Sequence, residues 1–161
     1  MSILHAPVRI LGCGSPLMGN DGVGLKVIEA LHRTELKDLK DLDIEDAGVC
    51  GLDLLNLLDG ARKVIIVDAV LADSLPGSVH RIEGQDLIKF TEPLNLVSAH
   101  DLTITDVLRI GEQIQNLPEI VVIGIEIGSI VTEATQEISP EVLEGVEKAI
   151  KLIREEISSP I

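Results

Sequence analysis

The chain has 161 residues, of which 45% are hydrophobic, 25% are charged and 1% are aromatic, and its formal net charge is −14. The hydrophobic content excludes a disordered chain, and the length fits one domain over residues 1–161 with a full core. The acidic balance excludes nucleic acid and anionic membranes as partners, and the scarcity of aromatic side chains leaves no stacking surface for single-stranded nucleic acid.

Strand-like apolar runs alternate with helical patterns along the chain. The predicted strands, in chain order, cover residues 8–12, 42–47, 63–70, 77–84 and 119–127. The predicted helices cover residues 23–33, 52–58, 101–115 and a last segment that follows Ser139 as N-cap and Pro140 in the first turn. Residues 71–76 predict a loop, and residues 128–138 match neither pattern.

This alternation predicts the fold class. The run KVIIVDAV at 63–70 is typical of a strand buried on both faces, whereas the alternating polarity of 77–84 indicates an edge or antiparallel strand. Strands that alternate with helices are typical of parallel sheets. We therefore predict an α/β fold, a three-layer α/β/α sandwich with a mostly parallel twisted sheet flanked by helices.

Features that direct a chain to a membrane are missing. No apolar run approaches the length of a membrane span, and the N-terminus lacks the basic start and long apolar core of a signal peptide. We therefore expect a cytoplasmic protein. Cys13 and Cys50 are too few for a disulfide framework, and we expect free thiols that serve in packing. The sequence leaves the oligomeric state open.

A glycine-rich loop, GCGSPLMGND, follows the first predicted strand over residues 12–21. A dinucleotide fingerprint would need a third glycine where Leu17 stands, and a phosphate-binding P-loop would need a lysine and a hydroxyl residue in place of Asn20 and Asp21. A carboxylate at contact distance from a phosphate costs about 1–4 kcal/mol in a moderate dielectric. Asp21 therefore either caps the following helix or serves the site as an oxygen ligand or base.

Further candidate residues are expected at the same sheet edge. Asp68 is an acid inside an apolar strand, where burial is expensive unless the carboxylate is paired or ligating. Asp46 closes the second strand, with an Asx turn beside Gly48 as the alternative, and His100 precedes the helix at 101–115. Since sites gather beyond the carboxyl ends of parallel strands, Asp21, Asp68 and His100 form a candidate ligand set for a divalent transition metal. A simple loop histidine is the alternative for His100.

Four spaced blocks carry a family resemblance. They are LGCGSPLMGNDGVGLKVIEAL, DAGVCGLDLL, KVIIVDAV and SAHDLTITDVL, and they are followed by VVIGIE and ISPEVLEGVEKAI, so that the match spans about residues 8–153. In this order the blocks resemble the nickel-iron hydrogenase maturation endopeptidases.

The resemblance implies an endopeptidase that removes the C-terminal extension of a nickel-iron hydrogenase large-subunit precursor after nickel insertion and recognises the nickel already bound there. It implies that Asp21, Asp68 and His100 contact the metal and that Asp46 is the functionally required acid, acting as a base or orienting one, so that the catalytic set is Asp46, Asp21 and Asp68. The nickel is supplied by the substrate, and other divalent metals are expected to occupy the same ligands in vitro.

Three alternatives stay open on the sequence. The first is a nickel-sensing chaperone of the precursor that uses the same residues without peptide cleavage. The second is a nucleotide-binding α/β protein, and the third is a general exopeptidase with its own zinc ion.

Overall fold

The computed structural model describes residues 7–49, 51–89, 95–96 and 103–158. Within these residues one sheet contains six strands: β1 (Val8–Cys13), β2 (Leu42–Gly48), β3 (Lys63–Leu71), β4 (Val79–Glu83), β5 (Asn95–Leu96) and β6 (Glu119–Glu126). The strand order is β2-β1-β3-β6-β4, and the short β5 pairs with the carboxyl end of β3. β1, β2, β3 and β6 run parallel, while β4 is antiparallel to β6 at the edge.

The described helices cover both faces of this sheet. They are α1 (Val23–Leu31), α2 (Leu54–Leu58), α3 (Gly84–Lys89), α4 (Ile104–Ile114) and α5 (Pro140–Ser158), with short 3-10 helices at Gly19–Gly22 and Glu35–Asp38. α1 and α5 pack on one face and α2, α3 and α4 on the other. The predicted three-layer α/β/α sandwich is confirmed. No described helix is both long and apolar enough to cross a membrane.

Side-chain alternation along the central strands builds the two halves of the core. Ile65 and Val67 of β3 lie on the α1–α5 face, whereas Val64 and Ile66 lie on the α2–α4 face. Since β3 is flanked by β1 and β6 and covered on both sides, its β-branched side chains are fully buried. Each such side chain contributes about 1.5–3 kcal/mol of burial free energy. This fully covered central strand carries Asp68 near its carboxyl end.

Several element boundaries differ from the sequence predictions. The first helix ends at Leu31 and not at residue 33, and the second begins at Leu54 and not at residue 52. The helix predicted over 101–115 covers Ile104–Ile114, because Thr103 and Asp106 close a capping box at its start. α3 was not predicted at all. Residues 128–138, which matched no pattern, form irregular structure.

Candidate active site

The glycine loop packs against its own continuation and forms no open cradle. β1 ends at Cys13, and the chain turns through Gly14 into the 3-10 helix Gly19–Gly22. Gly14 has a φ of 132°, and a Cβ at this position would collide with the backbone carbonyl oxygen of Asp21. Only glycine allows this approach. The loop glycines therefore bring the Asp21 turn close to the end of β1, which explains them without a phosphate ligand.

Asp21 lies beneath this loop and is only 4% exposed. The backbone N–H of Ser15 donates to its Oδ2 at 3.0 Å. The N-cap position of α1 belongs to Gly22, so Asp21 is not the N-cap residue of this helix. The loop that precedes Asp21 holds its carboxylate through the Ser15 N–H, and the short 3-10 helix packs against β3.

Asp68 occupies the same edge of the sheet from the neighbouring strand. It follows Val67, the β3 partner of Gly12, and is 3% exposed. The N–H of Ala69 donates to its Oδ1 at 2.8 Å. Because side chains alternate along a strand, Asp68 lies on the face covered by α2 and α4. Burial of a carboxylate inside an apolar strand is expensive, which makes Asp68 a strong candidate for a functional role.

Asp46 also reaches this edge, but in a different environment. It is the β2 partner of Gly12, and it is exposed. The N–H of Gly48 donates to its Oδ1 at 2.7 Å, which is the Asx turn named as the alternative interpretation. Strand alternation places Asp46 on the face of α1, together with Ile44. The structure therefore brings the three carboxylates to one edge, two of them buried and one in contact with solvent.

The complete predicted ligand set extends beyond the described residues. His100 and Cys50 lie outside them. The metal-ligand role of His100 and the packing role of Cys50 therefore stay predictions. Among the part of the chain that the structure describes, no group of three or more His, Cys, Asp or Glu side chains could hold a metal ion. Asp21 and Asp68 supply carboxylate oxygens, which suit a divalent cation only with further ligands. Cys13 is buried within the apolar cluster on the α2–α4 face, as expected for a packing residue.

Glu126, at the end of β6, is a buried carboxylate that the sequence analysis missed. Its Oε1 accepts from the N–H of Ala72 at 2.7 Å and from both the N–H and the Oγ–H of Ser74, at 3.1 and 3.0 Å. Its Oε2 accepts from the N–H of Gly128 at 3.0 Å. Burial acts to raise the pKa of Glu126, but these hydrogen bonds outweigh burial and hold the pKa below the ordinary glutamate value.

The Glu126 network fixes the loop that leaves β3. Ser74 Oγ also lies 2.8 Å from Nε2 of His80 on β4, so that one serine joins the carboxylate to the imidazole. The register pairs Val70 with Glu126, two residues beyond Asp68 along β3. Glu126 therefore supports the strand end that carries Asp68. The signal that could have identified it is the same as for Asp68, an acid that closes an apolar strand.

Comparisons with known proteins agree with this architecture. Residues 25–156 match the family model described as hydrogenase maturation protease. A putative hydrogenase maturation protease of Methanocaldococcus jannaschii is 33% identical over 155 residues, which cover 93% of this chain and 96% of that protein. The NiFe hydrogenase maturation protease HybD from Thermococcus kodakarensis has a TM-score of 0.72 at 30% identity, covering 95% of this chain and 99% of that one.

A third comparison concerns the fold alone. The hydrogenase maturating endopeptidase HybD from Escherichia coli superimposes with a TM-score of 0.76 at 23% identity, covering 94% of this chain and 91% of that chain. The family match extends over most of the present chain, including β2, β3, β6 and the greater part of α5. This chain therefore belongs to the hydrogenase maturation protease family and is a proteolytic enzyme.

Proposed function

We propose that this protein is the endopeptidase that removes the C-terminal extension of a nickel-iron hydrogenase large-subunit precursor after nickel insertion. Membership of the family supports the substrate class. The observation that carries the proposal is the burial of two carboxylates, Asp21 and Asp68, at the carboxyl edge of the sheet, where the 3-10 helix that contains Asp21 packs against β3. Buried acids of this kind recover their desolvation free energy when they bind a cation.

In this proposal the nickel arrives with the substrate, and Asp21, Asp68 and His100 add oxygen and nitrogen ligands to it. The buried carboxylates are held by peptide N–H groups of Ser15 and Ala69, so their orientation is set before the substrate arrives. Side chains that are already oriented reduce the entropic cost of binding. The enzyme then recognises a nickel-loaded precursor better than an empty one, which accounts for processing after insertion.

Asp46 is proposed as the residue that accepts a proton from the attacking water or orients the group that does. Its carboxylate is exposed, and the Asx turn to Gly48 fixes its direction at the edge of the site. Hydrolysis adds water across the scissile C–N bond, so the proton removed from water is finally needed by the leaving amine. Nickel at Asp21 and Asp68 would polarise the scissile carbonyl or hold the tail in register.

The first experiment measures the intact mass of a large-subunit precursor after incubation with this protein, once with nickel loaded and once without. We expect the precursor mass to fall by one C-terminal fragment, and only when nickel is loaded. A matched, nickel-loaded precursor that binds but keeps its full mass would instead identify a nickel-sensing chaperone that does not cleave.

The ligand role of His100 is tested by His100→Ala. We expect cleavage to be abolished while the melting temperature stays nearly unchanged. His32→Ala, at an exposed position after α1, is the matched control and should process the precursor normally. Full processing by the His100→Ala variant would remove this residue from the ligand set.

A further inference from the structure

Exposed apolar side chains follow the strand ends at the sheet edge that carries the candidate active site. Among the described residues, five large apolar side chains that are exposed follow the carboxyl ends of four parallel strands. They are Leu17 after β1, Val49 and Leu52 after β2, Leu75 after β3 and Ile130 after β6, and we name this set the apolar rim. Leu75 is 79% exposed and Ile130 is 65% exposed. Exposed apolar groups that cluster in this way mark interaction surfaces.

The loops that carry the apolar rim are joined to one another. The N–H of Gly14 donates to the carbonyl of Gly48 at 2.9 Å, which ties the loop after β1 to the end of β2. The N–H of Thr135 donates to the carbonyl of Leu17 at 2.8 Å, which ties the same loop to the segment after β6. The N–H of Gly77 donates to the carbonyl of Glu126 at 2.8 Å. The apolar rim therefore belongs to one connected surface around the site.

Positive charge is distributed unevenly over the protein, and the loops of this surface have none of it. The loops at 14–22, 49–53, 72–78 and 127–139 contain no lysine or arginine, although the chain has 13 of them. The same loops contain five acids: Asp21, Asp53, Asp73, Glu133 and Glu137. Of these, all but Asp21 are exposed. The surface around the site is thus apolar and acidic, whereas the basic residues are distributed over the rest of the chain.

We propose that the apolar rim and its acids form the docking surface for the precursor protein, and that they bind an apolar patch bordered by lysine or arginine side chains. This inference rests on the proposed function. Apolar contact supplies affinity, and the acids supply charge complementarity that speeds association and rejects wrong partners. A second copy of this chain fits less well, because a symmetric dimer through the rim would bring the same acids face to face.

The test compares kcat and KM for cleavage of the nickel-loaded precursor. The double variant Leu75→Asp with Ile130→Asp should raise KM about tenfold or more and leave kcat within about twofold, since it removes binding and not chemistry. Ile114→Asp is the matched control, because Ile114 is 68% exposed at the end of α4, away from the rim, and should leave both constants unchanged. An unchanged KM in the rim variant overturns the inference while the proposed function stands.

A charge variant tests the second half of the inference. Asp73→Lys with Glu133→Lys should raise KM at low salt, and the difference from the wild type should shrink as salt is added. A KM equal to that of the wild type at low salt would contradict the proposed basic border on the precursor.

Binding measurements separate this inference from the proposed function. If the wild type does not cleave the nickel-loaded precursor, the proposed function fails, and calorimetric titration with the same precursor then decides the docking surface. Weaker binding by the Leu75→Asp, Ile130→Asp variant supports it, whereas equal binding, or none by either protein, overturns it. A wild-type dimer that this variant dissociates in sedimentation would instead assign the rim to a second copy of the chain.

Discussion

The two ends of β3 bury charge in opposite ways. At the amino end, Lys63 is 2% exposed, and its Nζ donates to Oε2 of Glu156 on α5 at 2.8 Å. Arg81 of β4 pairs with the other oxygen of the same carboxylate. At the carboxyl end, Asp68 accepts from a peptide N–H, and the loops after β1, β2, β3 and β6 contribute acids but no lysine or arginine.

This difference separates a structural arrangement of charge from one that we propose to be functional. At the amino end the opposite charges neutralise each other and hold the last turns of α5 against the sheet. The hydrogen bond from Arg81, together with that from Lys63, outweighs burial and lowers the pKa of Glu156. At the carboxyl end, peptide N–H groups bind the carboxylates of Asp21 and Asp68, for which we propose a role in binding the substrate's nickel. Burial alone therefore does not mark a site, because Glu126 and Glu156 are buried as well and hold parts of the fold together.

The largest expected effect tests the carboxyl end. Asp68→Asn should lower the rate of precursor cleavage about a thousandfold, because the ligand charge is lost while the shape is kept. The amide oxygen can still accept from the N–H of Ala69, so the free energy of unfolding should change by less than about 1 kcal/mol. Intact mass and urea unfolding measure the two quantities. Normal cleavage by this variant would contradict a functional role for Asp68. A loss of stability large enough to explain the lost activity would show that Asp68 is structural.

The amino end should show the reverse pattern. Lys63→Met leaves Glu156 buried with one cation fewer and should lower the free energy of unfolding by about 3 kcal/mol, with normal cleavage by the folded fraction. Urea unfolding measures the loss. Adding Glu156→Leu should recover much of it, because the buried charge is then removed as well.

Lys26→Met is the matched control for the amino end. Its ion pair with Glu29 is exposed on α1, and its loss should cost less than about 0.5 kcal/mol. An equal loss of stability in the Lys26 and Lys63 variants would contradict the structural role assigned to the buried pair.

The smallest expected effect concerns Glu126, which belongs to the carboxyl end but is structural. Glu126→Gln should lower the free energy of unfolding by about 1–3 kcal/mol at neutral pH, because an amide cannot accept from all the N–H groups around it. The folded-state pKa lies below the ordinary value of 4.5, so the carboxylate stabilises the fold above that value, and this stabilisation is lost as pH falls through the folded-state pKa.

The difference between wild type and Glu126→Gln in urea unfolding should therefore shrink on acidification. Glu144→Gln, at an exposed position on α5, is the control and should show no such dependence. A difference that stays constant from neutral to acid pH would mean that the hydrogen-bonded carboxylate is not the cause.

Most of the fold could be predicted because it follows local patterns. The β-branched run of β3 and the strand–helix alternation were enough for the class and for the parallel sheet. α3 was missed because it has six residues and begins with Gly84, a poor helix former. A Cβ at Gly84 would lie 2.9 Å from Cβ of Ile120, so tertiary packing and not helix propensity selects this residue. Residues 128–138 were unplaced for a similar reason, since partners distant in sequence determine their path.

The sequence predicts the position of the site in the fold better than the contacts of its residues. Topology alone predicted that Asp21, Asp46 and Asp68 share one sheet edge, and the structure confirms this placement, while their chemical roles stay predictions. Asp21 is not the N-cap residue of α1 because the 3-10 turn places Gly22 between it and the helix. The acid at the end of an apolar strand was a usable signal for Glu126, but its hydrogen-bond donors at 72 and 74 are more than fifty residues away, so its partners could not be predicted.

The glycine loop depends on residues that the ribosome adds much later. The N–H of Ser139 donates to Oδ1 of Asn20 at 2.8 Å, across 119 residues of sequence, and the N–H of Gly19 donates to the carbonyl of Thr135. A ribosome that has added Asn20 needs about 6–24 s more to supply this partner. The loop over Asp21 therefore gains these two hydrogen bonds only after residues 135–139 have been synthesised. A nascent chain that stops before residue 135 lacks both bonds, so local sequence alone does not hold the loop over the buried Asp21.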